Sequence, residues 1–130
     1  MINMNVTHWM PGVAWDASFT IAAESSNTVA VNIQLKDFAG NDLAVTAAVI
    51  AYISTSATGL DVGTISGDIA LTSSGDGAVS TLLTHYAWLL ISEADGDIDV
   101  TITDTGTTTQ YLVLVLPNGK LIVSTTLGFA

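Results

Sequence analysis

Cysteine is absent from this 130-residue chain, arginine is absent too, and two lysines face twelve aspartates and glutamates. Without cysteine there are no disulfides, no thiolate metal sites and no cysteine nucleophile. A formal charge of -10 with almost no cations leaves nothing to displace counterions from phosphates, so nucleic acid is excluded as a partner. The same shortage excludes a polybasic membrane-surface binder. No run approaches the roughly 18 apolar residues that a transmembrane helix needs. The opening MINMNVTHWMPG has neither a basic region nor a continuous apolar stretch, and no secretory signal is expected from it. Glycine-rich phosphate loops, a Gly-x-Ser-x-Gly elbow and His-x-x-x-His spacing are all missing. Neither an internal repeat nor a low-complexity tract is present.

What is present is strand and turn chemistry. Hydrophobic residues make up 49% of the chain and the mean hydropathy is +0.56, too apolar for disorder despite the charge. The length fits one domain, able to bury about two-thirds of its unfolded surface. Val, Ile, Thr, Ser, Gly and Asp dominate, residue types that favour strands and tight turns over helices. Residues 28–35 alternate strictly, with Val29, Val31, Ile33 and Leu35 on one face. Residues 97–104 alternate again, with Ile98, Val100 and Ile102 inward. Further strands are predicted at 45–54, 110–116 and 121–126, the last two joined by Pro117-Asn118-Gly119-Lys120, whose Asn-Gly pair is a strong hairpin signal. Weaker strands are predicted at 19–23, 68–73, 78–83 and 86–92, and 54–67 is predicted to be the longest irregular connection. Seven to nine short strands at this spacing predict an all-β, two-sheet antiparallel sandwich of the immunoglobulin-like type. The expected organisation is an extended N-terminal arm over residues 1–16 and a sandwich domain over 17–130.

The arm is rich in Trp and Met and too short to form its own core, so it must lie on something apolar, either this sandwich or a neighbouring subunit. Trp9, Met10 and Trp15 are its candidate partner-binding residues. Two strands make a similar demand. In the run 111–116 Tyr111, Val113 and Val115 point one way and Leu112, Leu114 and Leu116 the other, so both faces are apolar, and residues 47–53 behave likewise. A solvent-facing strand should show one polar face. These two call for a cover, the arm or another subunit, and a homo-oligomer is expected.

Few residues invite chemistry. Glu93, Asp95, Asp97 and Asp99 form the densest carboxylate cluster, a weak candidate calcium turn. It is not an EF-hand, because the glycine required at the sixth position is Val100. Asp97 and Asp99 alternate with Ile98 and Val100, which places them on the solvent side of a half-buried strand. His8 lies in the arm and His85 beside Tyr86, without partners at catalytic spacing; no catalytic residue, metal or cofactor is expected, and the chain reads as non-enzymatic. Trp9, Trp15 and Trp88 could serve as sugar platforms, but Trp88 sits in an apolar run that predicts burial.

Two blocks carry a resemblance. IAAESSNTVAVNIQLKDFAGNDLA, residues 21–44, and residues 90–124 with ISEADGDIDVTITDTG and YLVLVLPNGKLIVS together resemble small virion proteins of tailed bacteriophages. The resemblance covers about half the chain and lies in turn and strand motifs; the arm has no counterpart. It implies an immunoglobulin-like sandwich and a capsid decoration, or cementing, role on the outer head surface after synthesis in the host cytoplasm. The implied partners are the major capsid protein and further copies of the chain, a homotrimer being favoured, with no nucleic acid and no membrane. Head-fibre or tail-associated roles are near neighbours, and the alternative is a surface recognition module binding host glycan, with or without calcium.

Overall fold

A computed structural model describes residues 13–129. Ten strands follow in order: β1 (Asp16–Ile21), β2 (Thr28–Lys36), β3 (Ala48–Ser54), β4 (Ile69–Leu71), β5 (Ala78–Leu83), β6 (Ala87–Ile91), β7 (Asp97–Thr103), β8 (Thr109–Val115), β9 (Leu121–Val123) and β10 (Leu127–Gly128). Every pairing is antiparallel, and among the described residues there is no helix. One sheet has the order β1-β2-β7-β4; the other runs β10-β8-β3-β6-β5, with β9 also on β8. Taken in chain order, the first sheet reproduces the A-B-E-D arrangement of an immunoglobulin-type sandwich, and β3-β8-β9 reproduces C-F-G. The hairpin β5–β6 is an insertion between the strands equivalent to D and E, and it widens the second sheet beyond β3.

Period-two patterning builds the core. Val29, Val31, Ile33 and Leu35 of β2 and Ile98, Val100 and Ile102 of β7 are all buried, and the register sets Ile33 against Ile98, Val31 against Val100 and Val29 against Ile102. Facing them are Val49, Ala51 and Ile53 of β3, Trp88 and Leu90 of β6, and Leu112 and Leu114 of β8. Trp88 is fully buried, and its indole Nε1 donates to Asp68 Oδ1 at 2.6 Å, tying β6 to the start of β4 in the opposite sheet.

Several expected strands are shorter than their patterns, 68–73 among them, and two shorten for one shared reason. In the predicted 45–54 strand the ladder starts only at Ala48, because the Ser92 hydroxyl accepts the Ala47 N–H at 3.0 Å where a backbone carbonyl would stand. In 121–126 the Ser124 hydroxyl accepts the Leu112 N–H at 2.9 Å and the strand ends at Val123 as β9; β10 lies beyond the predicted range. The Asn118-Gly119 hairpin forms as expected, with Gly119 at φ +83° and its N–H donating to Leu116 O. Of the expected arm, residues 1–12 lie outside the described residues. Ala14 is buried in the core, Trp15 N–H donates to Lys36 O at 2.9 Å, and Asp16 opens β1.

Candidate functional site

The two sheets present opposite chemistry to the outside. Along β1, β2 and β7 the outward positions are Asp16, Ser18, Thr20, Thr28, Ala30, Asn32, Gln34, Lys36, Asp97, Asp99, Thr101 and Thr103, all polar but Ala30 and brought side by side by the register. The second sheet differs in kind: none of β3, β5, β6, β8, β9 or β10 contains an Asp, Glu, Lys, Arg or His. Its outward residues are Ala48, Ile50 and Tyr52 of β3, Ala78, Ser80 and Leu83 of β5, Ala87, Leu89 and Ile91 of β6, Thr109, Tyr111, Val113 and Val115 of β8, and Leu121 and Val123 of β9, mostly apolar with Ser80 and Thr109 as neutral polar exceptions.

Part of this face is covered by the chain's own loop, a cover the sequence did not suggest. The segment between β3 and β4 folds back over β8: the Tyr52 hydroxyl donates to Gly59 O, and Gly59 packs so closely on Val113 and Val123 that a side chain there would meet Val123 Cγ2 at 3.0 Å. Val113 is fully buried although it points outward. Among the described residues, none covers the other half in this way. Ile50 is 43% exposed and stands over a shallow groove of about 200 Å³ lined by Ala48, Leu89, Val115, Leu116 and Pro117. Toward the free edge, Leu82 and Leu83 of β5 are exposed, and a register shift between Thr81 and Leu83 interrupts the edge.

The polar face carries the acidic turn. Residues 93–96 connect β6 to β7, with Glu93 N–H donating to Asp97 O and Gly96 N–H to Glu93 O. Gly96 is required there: its φ is +77°, and a Cβ would stand 2.7 Å from Leu43 O. Asp97 and Asp99 share one donor, the Asn32 side-chain amide, whose Nδ2 reaches both and lies 2.7 Å from Asp99. Asp76, near in space but distant in sequence, completes the group: one carboxylate oxygen each from Asp76, Glu93 and Asp99 lie within 4.8 Å of one another, and Glu93, Asp95 and Asp97 form a second such set. Such an all-oxygen donor set suits a hard cation such as calcium over a transition metal. Partial desolvation raises the Glu93 pKa above the ordinary carboxylate value, and the charges of Asp95, Asp97, Asp76 and Asp99 add to it. Asp97 is raised by desolvation as well; the Asn32 hydrogen bond opposes this, while Asp99 and Asp95 reinforce it.

A larger cavity of about 650 Å³ opens between the β3–β4 loop and the β7–β8 loop, bordered by Thr64, Ser66, Tyr86, Asp104 and Gln110. Asp104 Oδ1 accepts from Ser66 N–H, Ser66 Oγ and Gly106 N–H, so its oxygen is occupied in holding the two loops together. His85 stands in the turn before β6 at φ +72°, its Nδ1 2.8 Å from Gly67 O, and its bonded neighbour is therefore a backbone carbonyl and not a carboxylate.

Of the three residues expected to bind a partner, Trp9 and Met10 lie outside the described residues. Trp15 is half-buried just before β1, its carbonyl accepting from Asn118 Nδ2 and its indole Nε1 buried with no partner among the described residues. Sequence reasoning found Glu93, Asp95, Asp97 and Asp99 but missed Asp76 and Asn32, whose proximity exists only through strand pairing. The absence of charge from the six strands of one sheet was legible beforehand, had the strands been sorted by sheet.

No family model matches the chain, and no curated protein matches it. Among solved structures it is similar to a cohesin module from the family 33 glycoside hydrolase of Clostridium perfringens ATCC13124, at 9% identity over 84% of this chain and 88% of that one, with a TM-score of 0.45. The fold assignment rests on the strand order and register described above.

Proposed function

We propose that the chain is a non-enzymatic structural protein of a tailed-bacteriophage virion, a capsid decoration protein that cements the outer head surface and associates with copies of itself, as a homotrimer. The observation that carries the reading is the division of the sandwich into an apolar face free of charge and a polar, acidic face. A cementing protein needs an adhesive side toward the shell and a well-solvated side toward the medium, and no chemistry between them. Copies at -10 each repel one another within a Debye length of about 8 Å at physiological salt, so contacts between them belong on the uncharged sheet. The resemblance of residues 21–44 and 90–124 to phage virion proteins supports the same role, with the major capsid protein as partner, the outer capsid surface as location and the host cytoplasm as site of synthesis.

The test is co-sedimentation of the purified protein with tailed-phage heads assembled from a major capsid protein. Stoichiometric decoration is expected, lost in Ile50→Glu/Leu89→Glu and in Trp9→Ala/Trp15→Ala while circular dichroism stays that of a folded sandwich. Heads that remain bare with the native chain overturn the proposal. The convergence of Asp76, Glu93 and Asp99 favours a second reading, a recognition module that binds host glycan with calcium. It requires saturable glycan binding that a chelator abolishes, and a blank glycan array with calcium present removes it.

A further inference from the structure

The cavity of about 650 Å³ between the β3–β4 and β7–β8 loops falls within the range of about 300–1,000 Å³ that small-ligand sites occupy. The acidic turn precedes β7 and Asp104 follows it, so the length of that strand, roughly 20 Å, separates the two. Two polar side chains on its border, Asp104 and Gln110, are each only 4% exposed. The three donors that hold the Asp104 carboxylate all reach Oδ1, and among the described residues no donor reaches Oδ2. Gln110 uses both amide protons, Nε2 donating to Thr64 O at 2.9 Å and to Thr108 Oγ1 at 3.3 Å. Those bonds fix the orientation of the amide and leave Oε1 buried without a donor among the described residues. Glycines stand beside both acceptors: a Cβ on Gly63 would lie 2.7 Å from Gln110 Oε1, and one on Gly106 would lie 3.3 Å from Asp104 Oδ1 and 3.7 Å from Oδ2.

Both unmet groups ask for a donor, and one of them asks for a positive charge. A buried carboxylate calls for a paired cation. This chain has no arginine to supply one, while Lys36 pairs with Asp42 and Lys120 stands 3.8 Å from Asp16. Two acceptors on separate side chains suit a ligand that carries several N–H groups in one plane. Tyr86, 40% exposed on the same border, offers an aromatic surface on which a planar cation stacks. A guanidinium group combines these properties. A divalent metal ion is served less well, since among the described residues Asp104 belongs to no set of three acidic or imidazole ligands. An unpaired buried acceptor is a standing cost to the fold, and a donor entering the cavity removes it.

We propose that this cavity is a binding site for a guanidinium group, with Asp104 Oδ2 and Gln110 Oε1 as its acceptors and Tyr86 as its stacking surface. The group arrives as an arginine side chain of another protein or as a free guanidine, and the chemistry that recognises it is the same. Its charge pairs with Asp104, its N–H groups satisfy both oxygens, and the formal charge of -10 on the chain draws it in. The site lies between two loops and not on the uncharged sheet, so the inference is independent of the capsid reading.

The test is a magnetic-resonance titration of the isotopically labelled full chain with a Gly-Arg-Gly peptide blocked at both ends, the same peptide with citrulline in place of arginine, and ethylguanidine. The arginine peptide is expected to shift the amide resonances of residues 63–66, 86 and 104–110 saturably. The citrulline peptide, equal in shape but uncharged, is expected to bind at least about tenfold more weakly. Asp104→Asn keeps an oxygen for Ser66 and Gly106 and should weaken the arginine peptide by a similar factor; Tyr86→Ala should weaken it severalfold. Ethylguanidine that binds as tightly as the arginine peptide assigns the site to free guanidines, and weaker binding assigns it to an arginine side chain; both support the proposal. No shift with either guanidinium probe, equal affinity for the arginine and citrulline peptides, or shifts centred on residues 93–99 overturn it. The citrulline comparison uses the native chain, so it decides the matter even where Asp104→Asn fails to fold.

Discussion

Replacing Asp68 by alanine tests how the two sheets are held in place. Trp88 is fully buried in β6, and its Nε1–H has one recorded acceptor, Asp68 Oδ1 at 2.6 Å; the same oxygen accepts the Ile69 N–H at 2.8 Å. Truncation to alanine leaves the indole donor in an apolar core, which costs about 1–3 kcal/mol for the unsatisfied group. The Ile69 N–H loses the same acceptor. A loss of about 2 kcal/mol is expected, and for a domain of this size that lowers the melting temperature by roughly 6–10 °C. Asp68→Asn keeps a carbonyl acceptor and should cost about half as much. Urea denaturation of both variants, repeated in a Trp88→Phe background that has no donor, closes the double-mutant cycle with a coupling of at least about 1 kcal/mol. If Asp68→Ala costs the same with Trp88 present or absent, the bond contributes nothing specific, and the explanation of how β4 is anchored fails.

Three further outcomes follow from the same geometry. Glu93 and Asp97 both have folded-state pKa values raised above those of the unfolded chain. The folded state thus holds these protons more tightly, so the contribution is fully present below the ordinary carboxylate range of about 4 and is lost as pH rises through the raised values. On lowering the pH from 7 to 4 the urea midpoint of the native chain should shift more favourably than that of Glu93→Gln/Asp97→Asn, and an equal or less favourable shift refutes the linkage. Gly77 sits at φ +111° with Ile91 O only 2.4 Å from where a Cβ would be, so Gly77→Ala should destabilise by more than about 2 kcal/mol, whereas Gly75→Ala, with open space, should cost less; equal melting temperatures would contradict this. Light scattering after size exclusion should give the full chain a mass near three times 13.4 kDa, and monomers at all concentrations would argue against self-association through the apolar sheet.

Much of the architecture was legible because a strand's period of two writes burial directly into sequence. Val29 to Leu35 and Ile98 to Ile102 announce which side faces the core, the Asn118-Gly119 pair announces a hairpin, and Trp88 in its apolar run announces burial. The scarcity of cations and the absence of cysteine likewise exclude whole classes of chemistry without any coordinates. Strand ends were less legible, since Ser92 and Ser124 end ladders by placing a hydroxyl where a carbonyl would be, a substitution visible only when the partner strand is known.

Which strands share a sheet is a long-range property, and tertiary structure alone decided it. Pairing β2 with β7 set Asn32 beside Asp97 and Asp99, and the return of the chain through β5 brought Asp76 to Glu93; no local pattern encodes either meeting. The double-sided apolar strands at 47–53 and 111–116 were apparent from sequence, but not that the chain would lay Gly59 over Val113 and leave Ile50 open. Local alternation fixes which way a side chain points within its strand. What stands across from it depends on closing loops of tens of residues, whose outcome the whole core selects at once.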